Sequence, residues 1–228
     1  MKKILFLIPP SEWKKMGGEK RKQKQSFVFE KPKEKALEAT QKDLKCIGKR
    51  FEEAKKLNEN IFSWNIQELL FSIERYTGVM YQALDYENMS IFGKKYFDTH
   101  FLIISGMYGL LKPHDTIANY KLPIETKWLA RFWKENITQT LNDIWGDIIV
   151  DLLPESYKKM IDWKLLNASI VQVEFLTFKQ WKSKKMSHGV KTIKGNYIKN
   201  ICEKGFTDIS QMMKEKRQTI SIIAEELL

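Results

Sequence analysis

The stretch Phe101–Glu125, FLIISGMYGLLKPHDTIANYKLPIE, decides how the chain is read. It begins with Phe101-Leu102-Ile103-Ile104, which has the length and composition of a buried strand. The run breaks at Ser105-Gly106, and Gly109 follows three residues later. The two glycines bracket Met107 and Tyr108, where the backbone can turn sharply or approach a neighbour closely. Lys112, Pro113, His114, Asp115 and Tyr120 stand beyond, dense in groups that bind ligands or transfer protons. A buried strand feeding a polar, glycine-punctuated loop is where an α/β protein builds a site. An ordinary turn after a strand is the competing reading.

Upstream, Ile4–Ile8 is a second continuous apolar run, closed by Pro9-Pro10 with Ser11 and Glu12 just beyond. Five residues are too few for the apolar core of a secretory signal, and no segment approaches a membrane span, so a cytoplasmic protein without membrane contact is expected. Residues 14–26, rich in Lys, Gly and Gln, are expected to form a mobile basic loop. Ala36, Leu37, Leu44, Ile47, Phe51, Ala54 and Leu57 recur at helical spacing and predict one helix from Lys33 to Leu57. Residues 60–87 read as shorter helices broken at Thr77-Gly78, with Tyr76, Tyr81 and Tyr86 around the break. An amphipathic piece from Ser90 to Asp98 leads into the central strand.

Downstream, Tyr120–Ile124 reads as a short extended piece held by Pro123, Trp128–Ile144 as a helix, and Asp147–Leu153 as a third buried strand ended by Pro154. A short helix over Glu155–Ile161, an extended run over Ser169–Phe178 and a helix over Thr192–Lys204 stopped by Gly205 follow, then a tail with a strand at Thr219–Ile223. This alternation predicts one mixed α/β (α+β) domain over residues 1–228, a central sheet flanked by helices.

Thirty-nine Lys and Arg against 28 Asp and Glu give a net charge of +11, which favours partners carrying phosphate; a solvated lysine-rich face is the plain alternative. Cys46 and Cys202 have no metal-like spacing and fit a reducing compartment. His100, His114 and His188 are far apart in sequence, with no HExxH or CxxC, so neither a metal nor another cofactor is expected. The absence of GxxxxGK[ST], GxGxxG and GxSxG counts against nucleotide loops of the common kinds and against a hydrolase elbow.

If the strands before Ser11 and Ser105 are parallel neighbours, their loops meet at one edge of the sheet. Glu12, Asp115, Ser105 and Tyr108 are then the catalytic candidates. The alternative is that the two carboxylates cap helices or pair with surface lysines. The stretch Lys179–Lys199 carries Lys182, Lys184, Lys185, Lys191, Lys194 and Lys199, with Trp181 and Tyr197 interleaved. Lys191 and Lys194, three apart near a helix start, can share a face that neutralises phosphates, with an aromatic to stack on a base. A solvated lysine face competes here too.

Four collinear pieces resemble the YaaA family of peroxide-stress proteins. Leu7-Ile8-Pro9-Pro10-Ser11-Glu12 is similar to its opening strand and PPSEGK-type loop, and Thr77–Leu84 to its GxxYxGL-type segment. Ile104–Pro113, with Asp115 and Tyr120 beyond, resembles the long SGLYGxLRPxDxxxxYR signature, and Lys191–Gly195, with Lys199, the KxxRG segment. The resemblance implies a mixed α/β body with a basic cleft, a role in resisting peroxide by limiting free iron and oxidative DNA damage, and DNA binding with a helix-hairpin-helix-like element, here the helices flanking Thr77-Gly78. Lys112, Lys121, Lys191, Lys194 and Lys199 would contact phosphate, while Ser11, Tyr81, Gly106, Gly109 and Tyr120 would line the cleft. Trp13 stands where a glycine is common. Lys112, Lys121, Lys194 and Lys199 stand where the family has arginine, which keeps charge and loses the bidentate fork. An enzyme acting on a nucleobase or nucleotide in the same cleft, with Glu12 or Asp115 as base, is the alternative. A purely structural or interaction protein is a third reading.

Overall fold

The computed structural model describes residues 3–20, 23–63, 68–144, 146–179, 182–185 and 189–214, and for 176–179, 182–185, 213 and 214 the backbone alone. Strand β1 (Ile4–Ile8) is buried at every residue, as five apolar side chains in a row require of a strand covered on both faces. The lysine-rich segment after it is fastened to the body at several points. Lys14 bridges to Tyr76, β2 (Glu19–Lys20) forms a strand, and Ser26 donates to the Asp115 carboxylate.

The predicted helix over 33–57 is instead three: α1 (Lys33–Leu37), α2 (Gln41–Leu44) and α3 (Lys49–Phe62). Local chemistry overrides the periodicity. Thr40 and Asp43 form a capping box that starts α2 afresh, and Lys45 (φ 53°) and Gly48 (φ 56°) turn the chain before α3. β3 (Glu68–Phe71) lies in a region expected to be helical; four residues are too few to show a period. It leads directly into α4 (Ser72–Arg75), then α5 (Val79–Leu84) and α6 (Ile91–His100), the last capped by Ser90.

β4 (Phe101–Ser105) is buried throughout, and β5 (Gly109–Leu111) folds straight back on it with Ser105 opposite Gly109. Gly109 has φ 72°, a conformation glycine adopts freely. After β6 (Thr116–Ile117), residues 118–123 are irregular rather than a strand. Next come α7 (Leu129–Asp143), β7 (Ile148–Asp151), α8 (Glu155–Lys158) and β8 (Ser169–Gln172). The extended run over 169–178 divides: β8 joins the main sheet, whereas β9 (Leu176–Lys179) pairs with β10 (Lys182–Lys185). α9 (Val190–Lys204) ends at Gly205 in the left-handed conformation, and α10 (Ile209–Lys214) follows. The strand expected at 219–223 lies outside the described residues.

The main sheet has the order β5-β4-β1-β7-β8, parallel except for β5, and the chain is a mixed α/β single domain. β2, β3 and β6 form a small separate sheet. From β1 the chain moves to one side, to β4 and β5, then crosses back to β7 and β8 on the other. Right-handed crossovers in opposite directions put their helices on opposite faces, so the loops at the carboxyl ends of β1 and β7 diverge there.

Candidate functional site

The loop after β1 is held by its own serine. Ser11 Oγ accepts the amides of Trp13 (3.1 Å) and Gly78 (3.0 Å), while the Tyr81 hydroxyl donates to the Pro9 carbonyl (2.8 Å). A Cβ on Gly78 would lie 2.2 Å from Ser11 Oγ, so a glycine is needed there. The loop after β4 is built the same way. Ser105, fully buried, accepts the amides of Met107 (3.3 Å) and Tyr108 (3.1 Å) and lies 2.8 Å from the Tyr120 hydroxyl. The Tyr120 hydroxyl in turn lies 2.9 Å from that of Tyr76. Ser105, Tyr120 and Tyr76 thus form a buried chain of hydroxyls. Burial pushes the Tyr76 and Tyr81 phenols well up and that of Tyr120 up to about 12, so all three are neutral near pH 7.

Lys14 lies against this chain, its ammonium 4.1 Å from the centroid of the Tyr120 ring and 5.8 Å from that of Tyr76. Burial, with the charge of Lys121 adding to it, pushes the Lys14 ammonium down to about 7; Glu12 opposes. Lys121 pairs with Glu12 at 3.1 Å. Burial pushes the Glu12 carboxyl up, but its hydrogen bond to Lys121 and the charges of Lys121, Lys45 and Lys14 outweigh it and leave it below the usual value.

The neighbouring strand end supplies a second cluster. Asp151, the last residue of β7 and buried, accepts the Leu153 amide (2.8 Å) and pairs with Lys158 (2.8 Å). Lys194 reaches in from α9 and donates to the Leu152 carbonyl. Burial pushes the Lys194 ammonium down to about 8; Asp151 opposes this and Lys158 adds to it. Burial pushes the Tyr157 phenol on α8 well up, and the nearby Tyr120, Glu125 and Glu12 add to it, so α8 lies near the first cluster as well as carrying Lys158 of the second.

The structure therefore brings together Ser11, Glu12, Ser105, Tyr81, Tyr120 and Lys121, with Lys194 on the β7 side and Lys191 exposed one helical turn before it. Lys112 and Asp115 lie elsewhere. β5 runs back along β4 with Leu111 opposite Ile103, which carries the following residues away from the Ser105 end. There Asp115 accepts the Lys112 amide (2.7 Å) and both the amide (2.8 Å) and hydroxyl (2.7 Å) of Ser26. Tyr108 uses its hydroxyl to accept the Ala118 amide (3.1 Å). Gly106 and Gly109 permit close packing, a Cβ on the first lying 2.6 Å from the Leu122 carbonyl oxygen and on the second 2.7 Å from the Trp133 ring. Lys199 pairs with Asp85 at 2.8 Å, beside an open cavity of ≈ 260 Å³ whose wall includes Glu74 and Glu87.

In the helix pair around Thr77-Gly78, both loop amides are taken by the β1 loop: Gly78 donates to Ser11, and Thr77 to the Trp13 carbonyl (3.0 Å). Trp181 and His188 lie outside the described residues, as do the side chains of Lys182, Lys184 and Lys185. No group of three His, Cys, Asp or Glu suited to a metal occurs among the described residues, and among them no helix is long and apolar enough to cross a membrane. Sequence reading gave no site role to Lys14, Asp151 or Lys158, nor to Tyr76, which it noted only among the tyrosines around Thr77-Gly78. Asp151 had a signal, since it closes a recognisable strand; Lys14 was hidden in a run of similar lysines.

Fold and site define an α/β protein with half-buried lysines and buried tyrosines gathered where the strand order of its parallel sheet reverses. The chain belongs to the family described as peroxide stress protein YaaA, whose model matches residues 4–222. It is 30% identical over 188 residues to a UPF0246 protein of Finegoldia magna, a match covering 80% of this chain and 74% of that one. Its identity is 32% over 155 residues to a UPF0246 protein of Colwellia psychrerythraea (62% and 59% covered) and 31% over 148 residues to one of Pseudoalteromonas translucida (60% and 57%). The matches therefore span less than two thirds of the latter two relatives.

Proposed function

We propose that this chain acts in the response to peroxide by binding nucleic acid, with a phosphate received at the β1–β7 edge. The observation that carries the reading is the pair of lysines at that edge. Lys14 and Lys194 are each desolvated beside another lysine, and the nearest carboxylates, Glu12 and Asp151, are already paired with Lys121 and Lys158. An anion placed beside either group offsets the loss of solvation that burial imposes on its ammonium. Lys121 lies in the same cluster, and Lys191 on the exposed face of α9 extends the cation row outward. Lys112 and Lys199 lie further off and contribute to the surrounding field.

Titration of a labelled oligonucleotide against salt tests this. Lys14→Met and Lys194→Met should each weaken binding about tenfold and reduce the salt slope by close to one contact. Binding at pH 8, compared in buffers of different ionisation heat, should take up protons, because the anion raises both ammonium pKa values. Wild-type affinity and slope in both variants would remove the reading.

A second reading, an enzyme acting on a nucleobase or nucleotide, draws on one further feature. A lysine whose ammonium is pushed down to about 7 is in good part the free amine near neutral pH, and beside the Tyr76–Tyr120–Ser105 hydroxyl chain that amine has the properties of a general base. In this reading Lys14, assisted by Glu12, takes the base role, and Ser105 and Tyr108 shape the pocket. Asp115, with its oxygens engaged by Ser26 and Lys112, is the weaker candidate for that role. Loss of a turnover signal in Lys14→Met with unchanged substrate affinity would favour it over binding alone.

A further inference from the structure

Arg75, the last residue of α4, is fully buried and forms no ion pair among the described residues. Its guanidinium is spent on backbone carbonyls instead. Nη1 donates to the carbonyls of Lys15 and of Gly17 (2.9 Å), and Nη2 to those of Glu68 (3.0 Å) and Ile117 (3.2 Å). Lys15 and Gly17 lie in the loop after β1, whereas Glu68 opens β3 and Ile117 closes β6. One side chain thus fastens that loop to two neighbouring strands. The chain uses lysine for most of its 39 basic residues, yet this position is arginine. A lysine has a single nitrogen and could not span four carbonyls on three segments; the planar fork can.

The backbone of Arg75 grips the same loop. Its carbonyl accepts the Lys15 amide (2.8 Å), and the Thr77 amide donates to the Trp13 carbonyl (3.0 Å). Residues 13–15 therefore run antiparallel to 75–77, with Lys14 opposite Tyr76. Opposed residues of an antiparallel pair project to the same side, which sends the Lys14 ammonium over the rings of Tyr76 and Tyr120. The Lys14 side chain is half-buried and forms no ion pair among the described residues; its one hydrogen bond, to the Glu12 carbonyl, is 3.5 Å long. Where its ammonium sits is thus decided by the backbone that carries it. Arg75 holds that backbone at both the amide and the carbonyl of Lys15. Its charge also reaches Lys14, adding to the downward push of burial and Lys121 on that ammonium.

We infer that Arg75 is the positioning residue of Lys14: by clamping Lys15 and Gly17 it sets where the Lys14 ammonium meets a phosphate at the β1–β7 edge. This rests on the nucleic-acid reading above and names the buried residue through which the fold controls that site. Arg75 acts through Lys14, so its loss matters to binding only while Lys14 is there. Its loss also changes Lys14 when no ligand is present. A merely structural arginine would lower stability and leave Lys14 as it is in the molecules that remain folded.

Two variants divide the properties of the guanidinium: Arg75→Lys keeps the charge and loses the fork, and Arg75→Gln keeps two N–H donors and loses the charge. The first measurement is the pH profile of trace acetylation at Lys14 in the folded proteins without ligand, read by mass spectrometry. Its midpoint should lie at about 7 in wild type and move toward the ordinary lysine value of about 10.4 in both variants. The second is titration with a labelled oligonucleotide. Arg75→Lys should weaken binding by about fivefold to tenfold, close to Lys14→Met, and should cost less than about twofold more when added to Lys14→Met. A wild-type midpoint in either folded variant overturns the inference and leaves the nucleic-acid reading intact. So do losses that multiply in the double variant. Failure of both Arg75 variants to fold, seen by circular dichroism, overturns it in favour of a structural role. Wild type that binds no oligonucleotide ends the nucleic-acid reading, and the acetylation profile then decides by itself whether Arg75 places Lys14.

Discussion

An aspartate in a glycine-punctuated loop has two jobs open to it, and partners decide between them. Asp115 is 2% exposed, and its oxygens accept two amides and a hydroxyl from the Lys112 turn and from Ser26. A carboxylate so occupied holds two segments together. Asp115→Ala should destabilise the fold by about 2–4 kcal/mol, from the loss of charge-assisted bonds and the amides left unpaired. In urea denaturation that loss should appear together with faster proteolysis near residues 20–26. Unchanged stability with lost ligand binding would instead place Asp115 in the site. From the sequence, Asp115 and Glu12 looked equivalent, because a carboxylate's partners depend on which segment folds over it. Tyr120 and Ser105 were legible, since both lie near the end of a strand that composition reveals. Tyr76 was visible as one of three tyrosines around Thr77-Gly78, but its partner Tyr120 lies 44 residues away.

At the scale of elements, α9 shows how a helix sets a side chain at a distance. Gly195 lies against α5, and a Cβ there would come 2.3 Å from the Met80 carbonyl oxygen and 2.7 Å from the Ala83 Cβ. The absent methyl lets α9 approach closely enough for Lys194 to reach the Leu152 carbonyl beyond β7. Gly195→Ala should therefore push the helices apart, cost about 1–3 kcal/mol and weaken anion binding in proportion to the displacement of Lys194. Calorimetry and oligonucleotide titration on the same variant separate the two effects; wild-type values in both would show that the helices have slack. The sequence located this helix to within two residues, because its periodicity and its Gly205 stop agree. It misjudged residues 33–57 because capping at Thr40 and the turns at Lys45 and Gly48 act locally and leave the apolar spacing intact. Strand β3 escaped for the opposite reason, being held by pairing with β2 and β6 rather than by a pattern of its own.

At the scale of the whole molecule, the strand order is what makes a site of residues so far apart in the chain. β1 lies between β4 and β7, so loops from the first, middle and last thirds converge on one edge, and α9 closes over them. Parallel, neighbouring β1 and β4 were the condition on which the two loops would meet, and they are so paired. The reversal that brings β7 to the other side of β1 was not foreseen, because strand order is not written in any one strand. Gathering lysines there costs stability, and pH should expose the cost. Lys14 and Lys194 are held down at about 7 and 8 in the folded chain, against about 10.5 when unfolded. Between those values the unfolded chain binds more protons, so stability rises with pH. Burial of Cys202 pushes its thiol far up, which has the opposite effect once an unfolded thiol begins to ionise near pH 8.5. The clean window is therefore pH 7 to 8.5, where unfolding free energy should rise by about 1 kcal/mol per pH unit. Lys14→Met should be more stable than wild type at pH 7 and show a flatter rise. Added phosphate should stabilise wild type most at the lower end of the window, where both ammonium groups are charged, and Lys14→Met less. A flat wild-type profile from pH 7 to 8.5 would mean that water reaches both lysines freely, and the charge deficit assigned to this edge would not exist.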